Sequence, residues 1–165
     1  MLRDAGGEFR LGEERSGRSP RGAVSIAPTD GAGQESARTL TFAGAGDATA
    51  QAVIAAAPVD LVRQANGEMG LTFRYRLEAP ANGRVMLGMG SDGDQGLVDI
   101  TAILAGAPVG EWRQMKLRLS CLRDAGADMA AVSQPFILTT EGPLSLAVES
   151  IRLEANEADA VCPAG

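Results

Sequence analysis

The sequence predicts an all-β domain: a two-sheet antiparallel sandwich of jelly-roll type with at most short helical turns. Three observations carry this expectation. Short apolar stretches with a period of two recur along the chain, turn residues separate them, and no segment keeps helical periodicity beyond a turn or two. A chain of 165 residues is long enough to bury a core as one domain. With 45% apolar but only 4% aromatic residues, that core must come mainly from Leu, Val, Ile, Met and Ala.

Residues 1–22 are rich in Gly, Arg, Glu and Ser and offer little to pack. They read as a mobile arm or linker remnant, with a single sandwich domain over 23–165. Weaker strands are expected at 24–26, 40–42 and 52–54. The clearest strand is 69–77, where Met69, Leu71, Phe73, Tyr75 and Leu77 share one parity, leaving Arg74 and Arg76 outward. Pro80, Asn82 and Gly83 make a turn before Val85, Leu87 and Met89 resume the alternation, so 69–77 and 84–89 are expected to pair as a hairpin. The run SDGDQG at 91–96 is the next breaker. Asp99 stands where it caps one helical turn through Thr101 and Leu104, ended by Gly106 and Pro108.

In 112–119, Met115, Leu117 and Leu119 point inward and Gln114, Lys116 and Arg118 outward. Trp112 falls on the polar parity unless a bulge intervenes. Phe136 and Leu138 mark a strand after Pro135. Leu144, Leu146 and Val148 hold one parity, Ile151 and Leu153 the other, and a β-bulge near Glu149 and Ser150 is needed to keep both sets in the core.

Composition removes whole function classes. A net charge of −6 with Lys116 as the single lysine opposes binding to a nucleic-acid backbone, which rests on neutralising phosphates. The chain has no histidine, so the commonest general base, the commonest neutral metal ligand and every Ser-His or Cys-His arrangement are missing. No stretch approaches the roughly 20 apolar residues needed to span a bilayer, and no signal-peptide pattern opens the chain. Cys121 and Cys162 lack the further soft ligands of a zinc site, leaving two free thiols or a disulfide. A bridge between them would pin the tail across a sheet and close a loop of about 40 residues.

FAGAGDATA, at 42–50, offers Gly44 and Gly46 as the start of a dinucleotide fingerprint. Thr49 occupies the third small position and no helix follows, so a loop is expected. Glu13 and Glu14 resemble a carboxylate pair but sit in the expected arm, and no catalytic residue is assigned.

Read in order, VDLVRQANGEMGLTFRYRLEAP, RVMLGMG, LVDITAILAG and the segment from Gly110 to Leu153 form a recognisable succession. Its most specific pieces are 112–121, GADM at 126–129 and PFILTTEGPLSL at 135–146. The succession resembles the galactose-binding-like C-terminal domain of bacterial family 3 glycoside hydrolases, the exo-glucanases and β-glucosidases. In that family, hydrolysis belongs to preceding domains. The resemblance therefore implies a non-catalytic accessory module of β-glucan processing, or a purely structural or dimerisation domain without sugar affinity. Implied partners are glycoside hydrolase catalytic domains, β-glucan oligosaccharides or a second copy in a homodimer. The family works in the periplasm or outside the cell, whereas this N-terminus carries no export signal, so no compartment is assigned.

Three groups of residues are candidates for function. Arg74 and Arg76 can donate to sugar hydroxyls from an outward face, against the reading of a solvated or domain-docking face. Trp112 can stack on a pyranose ring, although the sole tryptophan of so aromatic-poor a domain is expected in the core. Asp92, Asp94 and Asp99 can supply hard oxygen ligands to Ca²⁺, against a solvated turn followed by a helix cap.

Overall fold

The computed structural model describes residues 1–13, 15–33, 36–44, 50–155, 160 and 162–163. In chain order the strands are β1 (Leu2–Asp4), β2 (Gly7–Phe9), β3 (Gly17–Arg18), β4 (Val24–Asp30), β5 (Ser36–Phe42), β6 (Gln51–Ile54), β7 (Gly70–Leu77), β8 (Val85–Ser91), β9 (Asp94–Asp99), β10 (Arg113–Arg118), β11 (Gln134–Thr140) and β12 (Leu144–Glu154). Three short helices interrupt them: α1 (Val62–Asn66), α2 (Thr101–Ala105) and α3 (Leu119–Asp124). Two six-stranded sheets result. Sheet I has the order β2-β1-β6-β11-β8-β9 and sheet II the order β10-β7-β12-β5-β4-β3.

The core forms where the inward parities of the two sheets meet. Leu71, Phe73 and Leu77 of β7 face Leu87 and Met89 of β8 and Leu138 of β11, all essentially inaccessible to solvent. Phe73 meets Phe136 edge to face at 5.4 Å between centroids, an aromatic contact from sheet II to sheet I. The predicted bulge is present: β12 shifts register against β7 between Glu149 and Arg152, with Ser150 at φ 54°. The predicted helical turn is present as α2, but Asp99 does not cap it: the N-cap is Ile100, which makes no side-chain cap bond, and Asp99 Oδ1 accepts the Thr101 N–H at 2.9 Å from one residue further back.

Two expectations are corrected. Segments 69–77 and 84–89 do not form a hairpin. β7 lies between β10 and β12 in sheet II, while β8 lies between β11 and β9 in sheet I. Both strands bury the same parity, and burial is satisfied equally by pairing or by facing each other across a core. The hairpin partner of β8 is β9, joined through Asp92 and Gly93, with Gly93 at φ 96°; Asp-Gly between alternating strands is itself a hairpin signal. The Gly44 and Gly46 segment falls largely outside the described residues.

Nor are residues 1–22 an arm beside the sandwich. β1 pairs with both β2 and β6, which makes it an interior strand of sheet I, and Leu2 is buried in the core. Asp4 explains how a Gly-rich, polar segment is held. Its buried carboxylate accepts the N–H groups of Gly6 at 2.8 Å and Arg21 at 2.7 Å, with a longer contact of 3.4 Å to the Ala23 N–H. Burial pushes its pKa up, but the bonds from the Ser19 hydroxyl and these amides outweigh that and hold it below the ordinary 3.8.

A depressed carboxylate pKa stabilises the fold above its unfolded value and loses that contribution as pH falls through the native value. Asp4→Ala is therefore expected to cost about 2 kcal/mol at neutral pH, by orphaning buried amides, and to flatten the stability profile below about pH 4. Urea melts at pH 7 and pH 3 check this. An equal loss at both values would mean that the charge of Asp4 is not what holds the segment.

Candidate functional site

Trp112 immediately precedes β10, the edge strand of sheet II. Arg113 pairs with Tyr75, so one further step along the ladder sets Trp112 opposite Arg76. The indole is half-buried, with the Arg76 guanidinium carbon 5.0 Å and the Arg74 carbon 6.0 Å from its ring centroid. Cation–π contact of this kind contributes about 0.5–1 kcal/mol at a partly exposed site. Glutamates hold both arginines in place. Arg76 donates to Glu78 Oε1 through Nε at 2.9 Å and Nη2 at 2.7 Å. Arg74 Nη1 lies 3.4 Å from Glu149 Oε1, and the fully buried Glu149 also accepts the Ala32 N–H at 3.0 Å.

The structure thus brings Arg74, Arg76 and Trp112 together and corrects the expectation that Trp112 is in the core. β10 runs unbulged against β7, so the period of two keeps Trp112 with Gln114 and Lys116 while Met115 and Leu117 fill the interior. The ring is sheltered by arginine stems instead of by core side chains. Each guanidinium is neutralised by a carboxylate, which leaves an aromatic surface ringed by oriented N–H and carboxylate oxygens. Such a surface suits a neutral polyhydroxylated ring better than a charged one.

At the far end of the same sheet, the chain terminus is fastened. Arg118 Nε donates to the Ala160 carbonyl at 3.0 Å, and Cys121 is disulfide-bonded to Cys162 with Cα atoms 5.5 Å apart. That separation is within the range a bridge requires.

The outer face of sheet I holds polar residues that the linear pattern did not single out. Gln95 Nε2 donates to Gln134 Oε1 at 2.8 Å and Gln51 Nε2 to Gln95 Oε1 at 3.3 Å, while Gln51 Oε1 is buried without a partner among the described residues. Gln95 and Gln134 flank Gly90 on its two neighbouring strands, and the missing side chain lets the amides meet above it. Gly90 has φ 146°, and a Cβ there would collide with the Asp94 carbonyl oxygen. Gln51 and Gln95 lie on strands three spacings apart, roughly 14 Å in a flat sheet. Their contact shows that sheet I curls towards this face. No sequence signal marks the cluster except the outward parity of Gln51 and Gln95, because the curl that assembles it is a property of the sheet.

The aspartates proposed for Ca²⁺ do not converge. Asp92 accepts from Arg3 at 2.9 Å and from Gln134 at 2.7 Å, and these bonds hold its pKa below the ordinary range. Asp99 is turned onto Thr101 and onto Arg84 at 3.1 Å, with its pKa likewise lowered, first by Thr101. Asp94 pairs with Ser91 beside the turn, whereas Asp99 pairs with Met86, five ladder steps or roughly 17 Å away. Among the described residues no group of three or more His, Cys, Asp or Glu is placed to hold a metal ion. Likewise, no helix of the described residues is long and apolar enough to cross a membrane.

The family Exop_C, described as galactose-binding domain-like, matches residues 2–153. Among solved structures, the exo-1,3/1,4-β-glucanase ExoP from a Pseudoalteromonas species is similar with a TM-score of 0.74 at 17% identity, over 97% of this chain and 19% of that one. This chain therefore spans about a fifth of that enzyme. The extra C-terminal domain of the same glucanase, solved separately, gives a TM-score of 0.72 at 17% identity over 99% of this chain and 91% of that domain. A family 30 carbohydrate-binding module gives 0.69 at 13% identity, over 92% and 86%. At these identities the likeness is one of fold. These matches are to accessory or carbohydrate-binding domains, and no curated protein matches the chain in sequence.

Proposed function

We propose, for a chain that belongs to the Exop_C family of galactose-binding-like domains, a non-catalytic role as the accessory module of a β-glucan-processing glycosidase, touching glucan through the face around Trp112. The observation that carries this reading is the half-buried indole with Arg74 and Arg76 set over it, each ion-paired to a glutamate. Similarity to the extra C-terminal domain of a β-glucanase and to a carbohydrate-binding module supports the substrate class.

Affinity should be low. Hydrogen bonds to sugar hydroxyls replace bonds to water and contribute little net free energy each, and one aromatic ring is a small platform. Short β-1,3- and β-1,4-linked glucose oligomers are expected to bind with millimolar dissociation constants, about −4 kcal/mol. Calorimetry and the fluorescence of the sole tryptophan measure this directly. Trp112→Ala should abolish the heat of binding, Arg76→Ala should weaken it, and Trp112→Phe should retain part of it. Silence with both linkages would favour the other reading of the fold, a scaffold or dimerisation domain for glycosidase catalytic domains. Unaltered binding by Trp112→Ala would place the sugar elsewhere.

A further inference from the structure

A cavity of about 260 Å³ opens between the two sheets. Ile26, Leu40 and Val148 wall it from sheet II, and Leu2, Ile54 and Phe136 from sheet I. Arg38 also lines it, although β5 places Arg38 on the inward parity with Leu40 and Phe42, where a sandwich normally carries an apolar side chain. Its ladder neighbours are Val148 and Pro28, neither of which can neutralise it. The one hydrogen bond of its guanidinium within the described residues goes from Nη1 to the Ala37 carbonyl at 3.1 Å, and no carboxylate there lies within ion-pair distance. Glu149 is the one lining residue with a carboxylate, and that group is committed to Arg74 and to the Ala32 N–H. Among the described residues the cavity therefore combines apolar walls with the Arg38 guanidinium, whose donors are mostly unused, while the Met1 ammonium on its lining already donates to the Val53 carbonyl at 2.8 Å.

We infer that this cavity is a binding site for a small amphiphilic carboxylate, with its apolar body between the sheets and its carboxylate on Arg38. Apolar walls with few placed polar groups are the usual make-up of a small-molecule site, and the volume falls just below that of drug-sized pockets, so the body is a medium-length alkyl chain or a single aryl ring. A guanidinium suits a carboxylate through paired, charge-assisted N–H donors. The inference does not depend on sugar binding at Trp112, which lies on the outer face of sheet II.

The test is calorimetric titration of the full chain with octanoate and with octanol, both below micelle-forming concentrations, with methyl NMR shifts of Ile54 and Leu40 as the local readout. Octanoate is expected to bind the wild type about ten-fold or more tightly than octanol, and Arg38→Gln to remove that difference while leaving octanol unaffected. Ala52→Leu, which fills the cavity from a lining position, should weaken both ligands. Equal affinity of the wild type for octanoate and octanol would overturn the proposal. So would octanoate binding that Arg38→Gln and Ala52→Leu leave intact, or no binding of either ligand.

Discussion

Phe73→Ala is expected to destabilise the domain by about 3–5 kcal/mol, the cost of removing a large ring from a packed core and leaving a cavity. Phe73 is among the largest fully buried side chains, and it carries aromatic contact in both directions. It meets Phe136 of sheet I at 5.4 Å and lies 6.2 Å from Tyr75 on its own strand. The chain has only four Phe, one Tyr and one Trp, so these two ring contacts are a large share of its aromatic packing. Domains have total stabilities of about 5–15 kcal/mol, so the loss is a large share of the whole. Urea denaturation measures it, with Phe73→Leu as the milder comparison. A loss under about 1.5 kcal/mol would show that the sheets are held by the aliphatic contacts alone.

Removing the disulfide should have an effect of nearly the same size. Cys121 and Cys162 are 41 residues apart, and the chain-entropy treatment of a loop of that length gives roughly 3–4 kcal/mol. Cys121 is buried where α3 follows β10, so the bridge fastens the tail to the interior and not to a mobile surface. The Arg118 bond to the Ala160 carbonyl lies on the same path and holds the tail in register. Cys162→Ser is expected to lower Tm by about 10 °C, with Cys121→Ser and the double variant alike because each breaks the same single bond. A drop under about 2 °C would mean that the tail leaves the sheet at little cost once untethered.

Much of the fold was legible in the linear pattern. The alternation from Leu71 to Leu77 defined β7 and placed Arg74 and Arg76 outward, and the parity change between Val148 and Ile151 announced the bulge at Ser150. Gly106 and Pro108 marked the end of α2 in the same way, through chain-breaking chemistry that acts over a few residues, and Gly106 is its C-cap. These are local facts: side-chain direction in a strand depends only on position, and a cap depends only on neighbouring backbone amides.

The candidate site was legible only in part. Parity put Trp112 among polar residues, while composition argued for the core. Parity prevailed because β10 meets β7 without an extra residue. The strand at Leu2–Asp4 leaves no mark in the linear pattern because three residues show no periodicity, and it exists through β6 on one side and buried amides around Asp4 on the other.

Sequence by itself determined the all-β class, the inward and outward sets of the main strands, the bulge and the exclusion of histidine chemistry. Tertiary structure alone decided that β8 crosses to the other sheet, that the glutamines of sheet I meet over Gly90, that Arg38 borders a cavity, and that three aspartates part ways. The division has one physical reason. Alternation records which side chains leave water, and that preference is satisfied by any partner that covers them; which strand provides the cover depends on contacts between residues far apart in the chain.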